Sequence, residues 1–217
     1  MEVLTKEKAI IMALYQALEH TITLFSTDNI SPERKEVLQP LIEYLHQKTK
    51  KKESIRLNFI CTHNSRRSHM SQIWAQTMAY HCGLKNVFCY SGGTVATAMF
   101  PKVAETLAIQ GFIILQLSAI PNPVYAVKYA PNEPSIICFS KVYNHDFNPV
   151  SGYGAVVTCN SADEACPIVF GAEARFPVKY DDPKAFDHTE MMNIKYTERS
   201  LQIGEELWYV FNAVSYG

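Results

Sequence analysis

The sequence lacks any Cys-x-x-Cys pair, although it holds six cysteines, at positions 61, 82, 89, 138, 159 and 166. That spacing argues against a zinc ribbon or finger, and no metal is expected. It also lacks an apolar run long enough to span a bilayer. The stretch "AIIMALYQALEHTITLF" (Ala9 to Phe25) follows Lys6 and Lys8, but Gln16, Glu19 and His20 interrupt it and no small-residue cleavage site follows. It reads as an amphipathic helix of a cytoplasmic protein, not as a signal or membrane segment. Without a signal, a disulfide framework is not expected, so the cysteines are either buried small hydrophobes or active thiols. Net charge is nearly absent as well. The formal value of -1 gives no case for nucleic acid or an anionic membrane as partner. The one basic run, "KTKKKES" (Lys48 to Ser54), reads as a solvated linker. There is no internal repeat.

What the chain does have is an ordinary globular composition over 217 residues, 47% apolar and 19% charged, enough for one core with an appendage. The N-terminal part reads as two helices. Ile10, Leu14, Ala17 and Leu18 make the stripe of the first. The second opens with Ser31 as N-cap and Pro32 at its first position, and carries Leu38, Leu41, Ile42 and Leu45 on one face, with Pro40 as a possible bend. Residues 1–52 are therefore expected to form a helical extension to a domain at 53–217.

From there strands and helices alternate. "RLNFIC" (Arg56 to Cys61), "NVFCYS" (Asn86 to Ser91), "IILQL" (Ile113 to Leu117), "GAVVTC" (Gly154 to Cys159) and, more weakly, "FPVKY" (Phe176 to Tyr180) have strand character. Helical patterns follow the first at Arg67 to Gly83 and the second at Phe100 to Gly111, and a long one fills Thr189 to Ser215. The pattern predicts an α/β fold: a doubly wound, mostly parallel four-stranded sheet. Alternating apolar residues around "PNEP" predict a β-hairpin inserted at 124–144, with Cys138 packed inside its second arm.

Ligands of such sheets bind at the carboxyl ends of the strands, and Cys61 and Cys159 are both placed there. "CTHNSRRS" (Cys61 to Ser68) joins a strand to a helix. Such a loop gathers backbone N–H groups and the positive end of the helix dipole at one point, which makes an anion site. Arg67 adds a planar fork of donors suited to a tetrahedral oxyanion. A thiol in that field becomes acidic and nucleophilic. Ser68 can donate to the thiolate, and Asn64 can brace the loop. The oxyanion cradle is thus Thr62, His63, Asn64, Ser65, Arg66, Arg67 and Ser68. Two adjacent carboxylates, Asp181 and Asp182, offer a proton donor for a leaving oxygen, and the residues alone do not choose between them.

"CTHNSRRS", "YSGGT" (Tyr90 to Thr94) and "YDDPKAF" (Tyr180 to Phe186) together resemble the low-molecular-weight protein tyrosine phosphatases and the thioredoxin-coupled arsenate reductases, whose loop reads Cys-x-Gly-Asn-x-x-Arg-Ser. The resemblance runs from Arg56 to about Ser215. It implies Cys61 as nucleophile, Arg67 as anion clamp and Asp182, before Pro183, as general acid. His63 stands where the family has glycine. "TCNSADEACPI" (Thr158 to Ile168) is similar to the redox segment of the reductases, with a Cys-x6-Cys-Pro pair after the same strand. The resemblance therefore implies Cys159 and Cys166 as the second and third thiols of a relay recharged by thioredoxin, with an arsenate- or phosphate-like oxyanion as substrate and no cofactor. Cys82 and Cys89 share the six-residue spacing, but they lie at a helix end and inside a strand, where packing explains them. Many reductases hold a glutamate of a potassium cluster where this chain has Gln72, a departure that leaves the potassium site open. The alternative is a phosphatase needing Cys61 alone. A module that senses phosphate without turnover is a third reading, and Asp182 speaks against it.

Overall fold

The computed structural model describes residues 13–165 and 168–215. The first expected stripe therefore lies partly outside it, at Ile10, and so does Cys166. Helix α1 spans Gln16–Ile22, with Leu14 buried just before it and Leu18 buried within it. Helix α2 (Pro32–Lys50) begins as its sequence dictates: the Ser31 side chain accepts from the Arg34 N–H at 3.2 Å, and Pro32 needs no acceptor. It runs through Pro40 without a break and buries Leu38, Leu41, Ile42 and Leu45. The first part of the run expected as a linker, Lys48 to Lys50, is the last turn of this helix, and there Lys48 pairs with Glu53 and Glu173.

The main sheet contains β1 (Ile55–Cys61), β2 (Val87–Gly93), β6 (Tyr153–Val157) and β7 (Ala172–Pro177), in the order β2-β1-β6-β7, with every pairing parallel. Its two faces are unequally covered. Ile55, Leu57 and Phe59 of β1 join the large core made with α2, α3 (Arg67–His81), α4 (Pro101–Ile109) and α6 (Met192–Ser215). The other face, with Ile60, Ala155 and Val157, is covered among the described residues by the six-residue α5 (Asn160–Ala165) and neighbouring loops. Trp74 of α3 lies at the centre of the larger core, edge-on to Phe25 and Phe112 with ring centroids at 5.5 and 5.0 Å. Its indole N–H donates to Ser200 Oγ at 3.0 Å, and helix α6 approaches it closely at Gly204.

Two strands differ from expectation. The last was expected at 176–180 but ends at Pro177; past it Val178 and Tyr180 are buried by tertiary contacts while Lys179 is exposed. The strand β3 (Ile113–Gln116) does not enter the main sheet. It pairs antiparallel with β4 (Tyr125–Lys128), which pairs antiparallel with β5 (Ile136–Cys138). The expected hairpin is therefore two thirds of a three-stranded sheet of its own.

β2 is an edge of the main sheet, and its outward backbone groups are taken by side-chain amides. Gln76 Nε2 donates to Val87 O at 3.0 Å and Gln76 Oε1 accepts from Cys89 N at 3.0 Å. Gln72 Nε2 donates to Cys89 O at 3.1 Å and Asn148 Nδ2 to Ser91 O at 3.0 Å. Two glutamines one helical turn apart on α3 thus stand in for a neighbouring strand.

Candidate active site

The Cys61–Ser68 loop leaves β1 and enters α3, as expected from its place between an apolar strand and an amphipathic helix. Its carbonyls are drawn outward. Cys61 O and Thr62 O accept from Thr94 N and Val95 N, Ser65 O accepts from Phe100 N, and His63 O accepts from the hydroxyls of Thr97 and Ser140. Consequently the N–H groups of residues 62–67 turn the other way, and among the described residues none has a protein acceptor. A row of free, converging N–H groups at a helix start is an anion receptor. Gly93 makes the loop's path possible: a Cβ there would lie 2.7 Å from both Asn64 N and Thr62 O. Gly92 does the same for Tyr143, whose Cα would be 2.3 Å away. This accounts physically for the glycines of "YSGGT".

His63 does not occupy a left-handed backbone conformation. That role falls to Asn64, at φ 45°, while His63 is an exposed rim residue. Asparagine tolerates this region better than most residues, and here its side chain is fully used. Asn64 Oδ1 accepts from Lys141 N at 2.9 Å and Nδ2 donates to Ser68 Oγ at 2.8 Å. Because Ser68 Oγ accepts from Asn64, its own proton is free for Cys61 Sγ, 3.1 Å away.

Arg67 lies in the same cradle. Its Nη1 donates to Tyr180 O at 2.9 Å and its Nη2 to Asp182 Oδ2 at 2.5 Å. Its Nε is buried and without a partner among the described residues, a donor that an oxyanion in the loop would satisfy. Asp182 also caps the 3-10 turn Pro183–Phe186 by accepting from Lys184 N at 3.0 Å. The two aspartates differ in setting: Asp182 lies against Arg67, whereas the Asp181 side chain is 96% exposed and pairs with Arg199. Arg66 is turned elsewhere, bonded to Asp187 and Tyr196 and stacked on Phe100, so it is a strut and not a second clamp.

Cys159 follows β6 and is buried beside the loop. Its Sγ is 3.4 Å from Thr62 Oγ1 and 3.4 Å from Ala162 N in the first turn of α5. It shares one apolar cluster with Cys61, Ile60, Val157 and Ala162. The remaining described cysteines are packed ones. Burial pushes the Cys138 thiol up to about 12 and the Cys82 thiol up to about 11. Burial raises Cys89 further still. The structure thus brings together Cys61, Arg67, Asp182 and Cys159; Cys166 lies outside the described residues.

Gln72 carries no charge to offset a cation; it is buried, with its Nε2 donating to Cys89 O and its Oε1 without a partner among the described residues. One turn earlier on the same face of α3, His69 already feels the ammonium of Lys141. Among the described residues no cluster of three His, Cys, Asp or Glu gathers.

Two features were missed from sequence. The Tyr180 side chain packs against Arg34 of α2, whose guanidinium lies 4.9 Å from the ring centroid and pairs with buried Glu206 of α6 at 2.7 Å. Lys141, from the insertion, braces Asn64. Its only sequence signal was a lysine inside the apolar run "IICFSKVY". Among the described residues no helix is long and apolar enough to cross a membrane.

Residues 56–130 match the family model of low molecular weight phosphotyrosine protein phosphatase. No curated protein matches the sequence. Among solved structures, similar chains include a low molecular weight phosphotyrosine phosphatase from Vibrio cholerae O395, at 16% identity over 72% of this chain and 94% of that one, with a TM-score of 0.48. An arsenate reductase from Archaeoglobus fulgidus is 18% identical over 71% of this chain and 98% of its own, with a TM-score of 0.44. A thioredoxin-dependent arsenate reductase from Corynebacterium glutamicum is 17% identical over 82% of this chain and 70% of its own, with a TM-score of 0.41. The matched segment, residues 56–130, holds the Cys61–Ser68 loop, β1, β2, α3 and α4, and on it the chain is similar to the low molecular weight phosphotyrosine protein phosphatases.

Proposed function

We propose that the protein is an arsenate reductase that works through a three-cysteine relay recharged by thioredoxin. The observation that carries this reading is the second thiol. A phosphatase has no use for Cys159, yet its sulfur is buried against Thr62, the residue next to Cys61, at the start of a short helix.

In this reading arsenate enters the N–H cradle and takes the free Nε–H of Arg67. The Cys61 thiolate forms an S–As bond, and one arsenate oxygen leaves with a proton from Asp182. Cys159 then attacks Cys61 Sγ. An S–S bond forms, the S–As bond breaks, and its electron pair stays on arsenic, which departs as arsenite. Cys166 attacks Cys159 Sγ, freeing Cys61, and thioredoxin reduces the resulting disulfide by exchange. Helix α5 supports such a rearrangement. It is six residues long, and its described anchors are the buried Ala162 and the pairing of Asp163 with Arg175 and Lys179.

The test is arsenate-dependent NADPH oxidation by the full chain with thioredoxin and thioredoxin reductase. Sustained oxidation is expected; its absence, with the enzyme folded and reduced, overturns the reading. The phosphatase alternative is favoured by one observation, that the cradle and Arg67 fit phosphate as well as arsenate, and would show as hydrolysis of phosphotyrosine.

Asp182 has two jobs that a single variant separates. Asp182→Asn removes the proton donor, so kcat is expected to fall by about 10²–10⁴-fold. It also removes the carboxylate that occupies Arg67 at 2.5 Å. Oxyanion affinity, read by equilibrium dialysis, is therefore expected to hold or tighten.

A further inference from the structure

Lys141 is buried at 1% exposure in an insertion that the proposed chemistry does not use. Its main chain holds the loop from one side: Lys141 N donates to Asn64 Oδ1 at 2.9 Å, and Lys141 O accepts from Gly93 N at 2.9 Å. An alanine would do this as well. The side chain is the puzzle. Its ammonium donates to Phe139 O at 3.3 Å and lies 4.5 Å from the Phe139 ring and 5.3 Å from the Phe147 ring. It has no carboxylate partner among the described residues. Buried lysines of this kind are costly.

We propose that the Lys141 ammonium is a positioning charge for the oxyanion loop: an aromatic box in the insertion holds a fixed cation beside Asn64 and the first turn of α3, where it adds positive potential to the anion cradle. His69 reports the proximity. It lies two residues past Arg67, its Nδ1 is 3.3 Å from Ser91 Oγ, and its ring is close enough to the Asn64 carbonyl to feel it. Burial first, and the Lys141 charge second, push its imidazole down to about 3. His69 is thus neutral, and the charge in this corner belongs to Lys141. The groups facing the ammonium are His69 from α3, Cys138 from β5 and, through the Phe139 ring at 5.6 Å, His145.

Burial pushes Lys141 down to about 8, with Cys138 opposing. The folded value lies below the free lysine value, so between pH 8 and 10.5 the unfolded chain binds more protons than the native one. Stability from this group therefore rises with pH across that window, and below it the fold bears the full cost of the buried charge. A residue kept for structure would act in the opposite sense.

The proposal rests on the oxyanion role of the loop but not on arsenate as substrate, so its test uses sulfate, which does not titrate near neutrality. The background is the full chain with Cys61→Ser, which removes the nucleophile's own titration. Sulfate affinity, measured by calorimetry, is expected to fall on the order of tenfold between pH 7 and 9.5, the scale of one unit charge acting in a partly buried site. Adding Lys141→Met should give that weak affinity already at pH 7 and flatten the profile. This separates Lys141 from the α-amino group, which titrates in the same range. The melting temperature at pH 7 should hold or rise in Lys141→Met. Equal sulfate affinity at pH 7 with and without Lys141 overturns the proposal. If Lys141→Met folds poorly, the Cys61→Ser profile decides alone, and a flat one overturns it. Failure here leaves the reductase reading intact, and failure of arsenate reduction leaves this one intact.

Discussion

Replacing Cys61 with serine will abolish turnover while leaving the site able to bind. Catalysis by a single nucleophile is lost almost entirely when it goes, by at least about a thousandfold. The cradle does not depend on it: the free N–H groups are those of residues 62–67, and the clamp is Arg67. Sulfate affinity in Cys61→Ser is therefore expected to match or exceed that of the parent. Cys159→Ser is the informative companion. In a reductase it allows the S–As bond to form but not to break, so coupled NADPH oxidation stops as completely as in Cys61→Ser. In a phosphatase it leaves hydrolysis of p-nitrophenyl phosphate within a fewfold of the parent. Loss of oxyanion binding in Cys61→Ser would mean that the loop is not a preformed receptor.

Glu206→Ala will destabilise the protein by about 3–5 kcal/mol, the usual result of removing one partner from a buried ion pair. Glu206 is 3% exposed, and Arg34 reaches it with two donors, Nε at 2.9 Å and Nη2 at 2.7 Å. For a chain of 217 residues that amounts to a fall in melting temperature of roughly 10 °C, measurable by calorimetry. The pair joins α2 to α6 and holds Tyr180, whose carbonyl receives Arg67. The loss should therefore reach the site. In the folded fraction, oxyanion affinity is expected to fall along with stability, whereas a change in melting temperature alone would show that Tyr180 needs no support from α2.

The same pair shows where the sequence was legible and where it was not. Local signals were reliable: Ser31 before Pro32 did cap a helix, and the apolar run into Cys61 did end at a strand-to-helix loop. Asp182 was picked from its neighbour by Asp-Pro, and the structure separates the two by exposure. His63 stands where the family has glycine, yet the positive-φ position of the loop belongs to the next residue, Asn64. Signals that depend on partners far along the chain were silent. Nothing in "SPER" announces that Arg34 will meet Glu206, 172 residues on. "IILQL" has strand character without a stated partner, and it paired with the insertion instead of the main sheet. "FPVKY" owed its strand-like look to aromatic and branched residues that are buried by tertiary contacts past the ladder's end at Pro177.

The amide-capped edge of β2 has a consequence for how the chain reaches this state. Two of the three residues that cap it, Gln72 and Gln76, belong to α3, so the edge around Val87 and Cys89 is closed only once that helix has docked. Until then the strand offers unpaired donors and acceptors beside the apolar Val87, Phe88 and Cys89, a template for a strand from another molecule. Docking of α3 also builds the anion cradle, since the loop is the start of that helix. One event therefore makes the molecule both competent and unable to seed its own aggregation, and an oxyanion that favours the docked helix would act as a folding aid as well as a ligand.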